Sequence, residues 1–241
     1  MTKLWNVLLV AAAAILPAGA AQAQDDGWHF TLQPYLMVPA MSGKAAIRGF
    51  DAKVDVSPKD IIDNFNIGFL GYVEAAKGDW AFGVDTNYMN LDATKDERRT
   101  SANVSQTAVQ PMLFYRVSKN LELMGGARYN SIKLKLDSTF PAIDGTERRK
   151  DWIDPIIGMR MTAPLGRSTE FSFQANVGGF GIGSDVAIQA RPMVSFKIAS
   201  KTTIDVGYQF VYMKYDTGSG TDRFLYDVLT QGPILGVTFK F

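Results

Sequence analysis

Apolar and polar residues alternate with a period of two along most of this chain, and that pattern belongs to strands with two unlike faces. At the C-terminus Pro233, Leu235, Val237, Phe239 and Phe241 fall on one face, while Gly232, Gly236, Thr238 and Lys240 fall on the other; Ile234 alone breaks the rule. Upstream, Phe171, Phe173, Ala175 and Val177 oppose Glu170, Ser172, Gln174 and Asn176, and Ile204, Val206, Tyr208, Phe210 and Tyr212 oppose Thr203, Asp205, Gly207 and Gln209. Val186, Ile188, Ala190, Val194, Phe196 and Ile198 oppose Asp185, Gln189, Arg191, Ser195 and Lys197 in the same way. Helical spacing is nearly absent. The hydrophobic fraction of 46% is ordinary for a soluble protein, as expected of a membrane barrel in which only every second strand residue meets lipid.

Turn residues set the topology. Short connectors at Lys77-Gly78-Asp79, Ser118-Lys119-Asn120, Leu165 to Ser168 and Ser200-Lys201 alternate with longer polar ones at Asp92 to Ser101, Ser138 to Lys150 and Asp216 to Asp222. This predicts an all-β, closed antiparallel transmembrane β-barrel of about ten strands, with eight or twelve as alternatives, short periplasmic turns and longer extracellular loops. The ten strands run about Trp28 to Val38, Asn66 to Ala76, Trp80 to Leu91, Ala102 to Val117, Leu121 to Asp137, Asp151 to Ala163, Thr169 to Phe180, Asp185 to Ile198, Thr202 to Tyr215 and Phe224 to Phe241. Aromatic residues fall at two levels: Trp28, Phe30, Trp80, Phe82, Phe171, Phe196, Phe239 and Phe241 near one end, Tyr88, Tyr212, Tyr215, Phe224 and Tyr226 near the other. Two such girdles bracket an apolar band.

A weak repeat runs through the descending strands. Gln110-Pro111, Asp154-Pro155, Arg191-Pro192 and Gly232-Pro233 are spaced by 44, 37 and 41 residues. A proline donates nothing to the ladder and a closed barrel has no edge to hide it on, so β-bulges are expected at Pro111, Pro155, Pro192 and Pro233.

The first residues read as an address. Lys3, the apolar Leu4 to Leu16 and the small-residue tail ending Ala21-Gln22-Ala23 make a secretory signal over residues 1–23, cleaved to leave a barrel domain over 24–241. The chain has no cysteine, which excludes disulfides, thiolate metal sites and a lipidated anchor. Loss of Lys3 brings the 25 basic residues to 24 against 24 acidic ones, and a neutral surface argues against a nucleic-acid partner.

The ending Gly236-Val237-Thr238-Phe239-Lys240-Phe241 resembles the C-terminal assembly signal of outer-membrane proteins, with Gly236, Phe239 and Phe241 at its marked positions and Ile234 departing from the preferred polar residue. More broadly the mature chain resembles small Gram-negative outer-membrane barrels of the OmpA and OmpW type. It is closer still to a set that opens like Trp28-His29-Phe30-Thr31-Leu32-Gln33-Pro34-Tyr35-Leu36 and carries a segment like Val54-Asp55-Val56-Ser57 before Asp60-Ile61. The resemblance implies the fold, the outer membrane as location and the barrel-assembly machinery as a partner. It carries over no catalytic, cofactor or metal residue.

No enzyme is expected. The single histidine, His29, starts the first strand beside Asp25 and Asp26 without a serine to complete a triad, and Asp151 and Asp154 read as ion-pair partners, with Arg160 on Asp154's face. By parity Glu74, Asp85, Glu122, Asp154, Glu170, Asp185 and Asp205 face the lumen together with Arg116, Arg128, Arg160, Arg191, Lys197 and Lys240. Mixed charge predicts a bore filled by ion pairs and a structural or surface-interaction role; a narrow channel is the alternative, a lipid-modifying enzyme a more distant one. Arg98, Arg99, Arg148, Arg149 and Lys150 lie in consecutive loops where they suit outer-leaflet lipid and lipopolysaccharide phosphates. Residues 41–65 read as an extracellular lid: a hairpin around Gly49-Phe50-Asp51, then a short helix from Ser57-Pro58 anchored by Ile61, Ile62 and Phe65.

Overall fold

The computed structural model describes residues 27–47, 50–59, 66–95, 100–138 and 146–241. Its strands are β1 (His29–Met37), β2 (Ala40–Ile47), β3 (Phe50–Val56), β4 (Asn66–Lys77), β5 (Trp80–Lys95), β6 (Thr100–Ser118), β7 (Leu121–Ser138), β8 (Thr146–Pro164), β9 (Thr169–Gly178), β10 (Val186–Ala199), β11 (Thr202–Thr217) and β12 (Phe224–Lys240). Ten of them, β1 and β4 to β12, pair in order, and β1 meets β12 to close an antiparallel barrel. Closure is completed by Phe30 and Phe241, which exchange backbone bonds of 3.3 and 2.9 Å.

The two remaining strands belong to the wall. β2 continues β1 along the last strand: Met37 faces Ile234 and Ala40 faces Gln231 in unbroken register, up to Ile47 against Phe224. β3 folds back on β2, from Ile47 against Phe50 to Met41 against Val56. The hairpin half of the expected lid is thus sheet standing on the barrel rim, and Met41, Ala45 and Val56 are buried in the interior. Ile61, Ile62 and Phe65 lie outside the described residues.

Side chains alternate as the sequence requires. Along β8 the lipid-facing positions Ile153, Ile157 and Met161 are 59%, 58% and 44% exposed, whereas Trp152, Asp154 and Ile156 are buried. That outer run from 153 to 161 has the length of about 9–11 residues that a tilted strand needs to cross a bilayer. Beyond it the faces exchange character: the outer side of β7 and β8 carries Lys133, Arg149 and Asp151, while Ile132 and Trp152 turn inward. Tyr215, Phe224 and Tyr226, expected in the outer girdle, share the lumen parity and join this inner apolar cluster. The strands extend past the membrane, and there the barrel is built like a soluble sheet protein, apolar inside and charged outside.

The prolines sit in the wall without bulges. On either side of Pro111 the ladder steps from Val109–Tyr129 to Met112–Gly126, three residues on both strands. The same even step flanks Pro192, from Ala190–Phe210 to Met193–Gly207, and Pro233, from Ile234–Met37 to Gln231–Ala40. Pro155 lies one residue past the last rung between β8 and β9, its carbonyl accepting from Gly179 N–H at 3.2 Å. Each proline omits rungs and keeps register; the irregularities occur elsewhere, at Asn66/Phe69, Arg116/Ser118 and Lys197/Ala199. Three of the prolines have a glycine in close approach, as Ala175 and Asp227 also have in Gly158 and Gly43. Gly126, Gly178 and Gly207 on neighbouring strands come so near the carbonyls of Pro111, Pro155 and Pro192 that an added Cβ would lie under 3.0 Å from them.

Candidate functional site

Among the described residues the side chains of the lumen form layers. The turn end opens into a vestibule of about 720 Å³. On its wall Arg160 of β8 donates from Nε to Glu122 at 2.6 Å and from Nη1 to Glu74 at 2.5 Å, and its guanidinium lies 4.1 Å from the centre of the Phe114 ring. Tyr72 donates to Glu74 beneath it. Nearby, Asp205 accepts from Gln33, Thr203 and Thr238.

Above the vestibule the bore is bridged from wall to wall. Arg191 of β10 reaches Asp85 of β5 at 2.5 Å, with side chains only 6% and 4% exposed. Tyr35 of β1 donates to the other Asp85 oxygen at 2.7 Å, and Arg191 Nε donates to Gln209 of β11 at 2.8 Å. Next, Arg128 of β7 donates to Gln110 at 2.7 Å, Asn176 at 2.6 Å and Gln189 at 2.7 Å, which ties β7 to β6, β9 and β10. A buried charge is tolerated only when paired and hydrogen-bonded. Arg191 meets that demand with a carboxylate; Arg128 has amide oxygens on Nε and Nη2, while its Nη1 has no partner among the described residues. A cavity of about 20 Å³ beside Arg128, Asn87 and Asn130 has room for about one water.

Asp154 pairs differently from its expected role. Its carboxylate accepts from Asn130 at 2.9 Å, Trp152 at 3.1 Å, and the backbone N–H and hydroxyl of Ser184 at 2.6 and 2.9 Å. Arg160 is taken by the two glutamates lower in the bore, so the Asp154–Arg160 pair does not form. Asp151 is on the opposite face of the wall, bonded to Arg149 at 3.1 Å and Tyr129 at 3.0 Å. Being of opposite parity on one strand, Asp151 and Asp154 cannot share a carboxylate centre. Asp185 also leaves the lumen: it stands half-exposed at the rim, 3.4 Å from Lys214.

The loop end is closed by apolar packing. Trp152 of β8 stacks on Tyr215 of β11 at 4.0 Å, and Phe224, Tyr226, Val228, Met213, Ile132 and Ala187 fill the space around them. Arg148 reaches Asp222, in the short 3-10 turn Gly220–Asp222, at 3.5 Å across the same opening. At this rim Arg223 donates twice to Asp216, and those bonds hold the Asp216 carboxyl below its usual range.

The sequence-predicted residues separate accordingly. Arg149 stands on the outer face with Asp151, Arg148 turns toward Asp222, and Lys150 is half-buried; Arg98 and Arg99 lie outside the described residues. His29 is exposed at the turn end of β1. Phe239 and Phe241 are 36% and 61% exposed on the outer wall, and Gly236 packs against Tyr35. Parity anticipated the ionic members of the plug. Alternation also put the amides Asn176, Gln189 and Gln209 on the polar face, but it did not single out Gln110 or the phenols Tyr35 and Tyr72. The signal was present in the repeat: the residue before three of the four prolines, Gln110, Asp154 or Arg191, is a buried member of this network.

No family model matches this chain, and no curated protein matches it. Among solved structures it is similar to the outer membrane protease OmpT from Escherichia coli, with a TM-score of 0.58 and 8% identity over 92% of this chain and 99% of that one. It is also similar to the translocator domain of autotransporter NalP from Neisseria meningitidis, with a TM-score of 0.47 and 13% identity over 99% and 95%. A third is Ail, the attachment invasion locus protein of Yersinia pestis, solved with the heparin analogue sucrose octasulfate: TM-score 0.40, 14% identity, 90% and 99%. The first of these likenesses agrees with the strand order and closure: the fold is that of an outer-membrane β-barrel.

Proposed function

We propose that this protein is a sealed, non-enzymatic barrel of the outer membrane, exported with a cleaved signal, whose work is done by its outer surface and loops rather than by passage through its bore. The observation that carries the reading is a series of plugs across the lumen above the vestibule: the Arg191–Asp85 bridge, the Arg128 amide cluster and the Trp152–Tyr215 stack. Conduction needs a wet path with sites weak enough to release what enters. A buried ion pair with all its oxygens engaged is the opposite. His29, the only histidine, is at the turn end, away from the loop side, which supports a role without hydrolytic chemistry. Lipopolysaccharide is the partner this reading implies at the loop end, with Arg149 the basic residue best disposed toward it, on the outer wall just beyond the lipid-facing run.

Reconstitution in planar bilayers tests the reading. Wild-type protein is expected to give no discrete conductance steps above the bare membrane. Ion-selective steps at neutral pH would establish the alternative, a narrow channel for small solutes.

A further inference from the structure

We propose that the turn-end vestibule is a binding site for a small polyanion, a ligand with clustered phosphate or carboxylate groups that enters from the periplasmic side. Its volume of about 720 Å³ falls within the range of roughly 300–1,000 Å³ typical of small-molecule sites. Seven cations but only three carboxylates line it. Two of those carboxylates are already engaged, Glu74 by Arg160 and Glu122 by Arg160 and Arg116. Of the seven cations Arg191 is held by Asp85, which leaves Lys119, Arg167, Lys197 and Lys240, none of which forms an ion pair among the described residues. Glu170 is the one lining acid outside the paired set.

Direction separates these groups from the ordinary basic fringe of a membrane protein. Lys197 and Lys240 continue the inward faces of β10 and β12, below Met193 and Thr238, and point into the cavity. Lys77, at the same end, lies over the Trp28 ring at 5.8 Å on the outside. The rest of the lining suits an oxyanion: hydroxyls of Ser172 and Ser195 and the amide of Gln174 supply further donors. Lys197 and Lys240 are exposed at the mouth, and cations gathered in a concavity concentrate counter-ions there. The bore above is closed by Arg191 and Asp85, so an anion drawn in is held there and has no way through.

Isothermal titration of the detergent-solubilised full chain with inorganic tripolyphosphate, and separately with citrate, tests the site and identifies the preferred group. At least one probe should bind saturably, one per barrel, with affinity falling as salt rises. The double variant Lys197→Gln/Lys240→Gln should weaken it by about tenfold or more, while Lys77→Gln/Lys201→Gln, at turn-end positions outside the cavity lining, should leave it unchanged. Heat-modifiable migration of both variants confirms that each barrel is folded. The proposal is overturned if neither probe binds saturably, or if the inner and outer pairs weaken binding alike, since the latter is the behaviour of a diffuse surface charge.

Discussion

At the scale of single residues the wall is held by a joint between proline and glycine. Pro111, Pro155 and Pro192 remove donors that a closed barrel cannot spare, and the strand beside each one offers Gly126, Gly178 or Gly207 to its carbonyl. Gly126→Ala therefore forces a methyl into backbone, and Gly207→Ala does the same against Pro192 and Met193. Each is expected to cost about 1–3 kcal/mol, the usual range for overpacking, read as a lower urea midpoint of the folded barrel. Gly125→Ala is the internal control, because nothing lies within 4 Å of the position its Cβ would take. If the adjacent substitutions behaved alike, close approach would not be the cause. The prolines were legible in the sequence as a repeat, but their glycine partners were not: they lie on the following strand, and only the register brings Gly126 to Pro111. Bulges were the natural expectation because a lost donor usually implies an extra residue, whereas here the ladder omits rungs and keeps its register.

At the scale of elements, alternation located all ten barrel strands and erred chiefly at their loop ends. Lipid-facing apolar residues disappear above the membrane, so Ser138 to Lys150 looked like loop, yet β8 begins at Thr146 and pairs with β7 through Leu136. There the period of two persists with its faces exchanged, and Lys133 bonded outward to Glu147 is no less a strand residue than Ile157. The β2–β3 hairpin obeys the same exchange, giving Met41, Ala45 and Val56 to the inner cluster. Deleting Lys44 to Asn64 is expected to leave a heat-modifiable barrel, because the rungs from Thr31–Lys240 to Met37–Ile234 still close it. The inner cluster would then be uncovered beside β12, which should show as binding of a hydrophobic dye that the intact protein excludes. Failure of the shortened chain to fold into membranes would mean that closure of β1 on β12 depends on the β2 extension.

At the scale of the whole molecule, one chain solves two opposite packing problems along a single axis. Within the bilayer the outside must be apolar, so polar groups go inward and must satisfy one another in the bore. Beyond it the outside meets water, so the interior reverts to Trp152, Tyr215, Phe224 and Tyr226. The barrel consequently has two seals of different chemistry in series, one ionic and hydrogen-bonded, the other a dry aromatic packing. Parity made the first partly legible; the second went unread because an inward aromatic and a girdle aromatic look alike until the membrane boundary is located. Seals in series make a specific prediction about opening. Replacing Asp85, Arg128 and Arg191 together by alanine removes the ionic layers but leaves the aromatic one, and replacing Trp152, Phe224 and Tyr226 by alanine does the reverse. Neither triple variant should admit ions in a liposome-swelling or planar-bilayer assay, whereas the six combined should. Steps from the first triple alone would show that the aromatic cluster does not close the mouth. Steps from the second alone would show that Arg191, Asp85 and Arg128 do not block the bore, and the sealed reading of this barrel would fall with them.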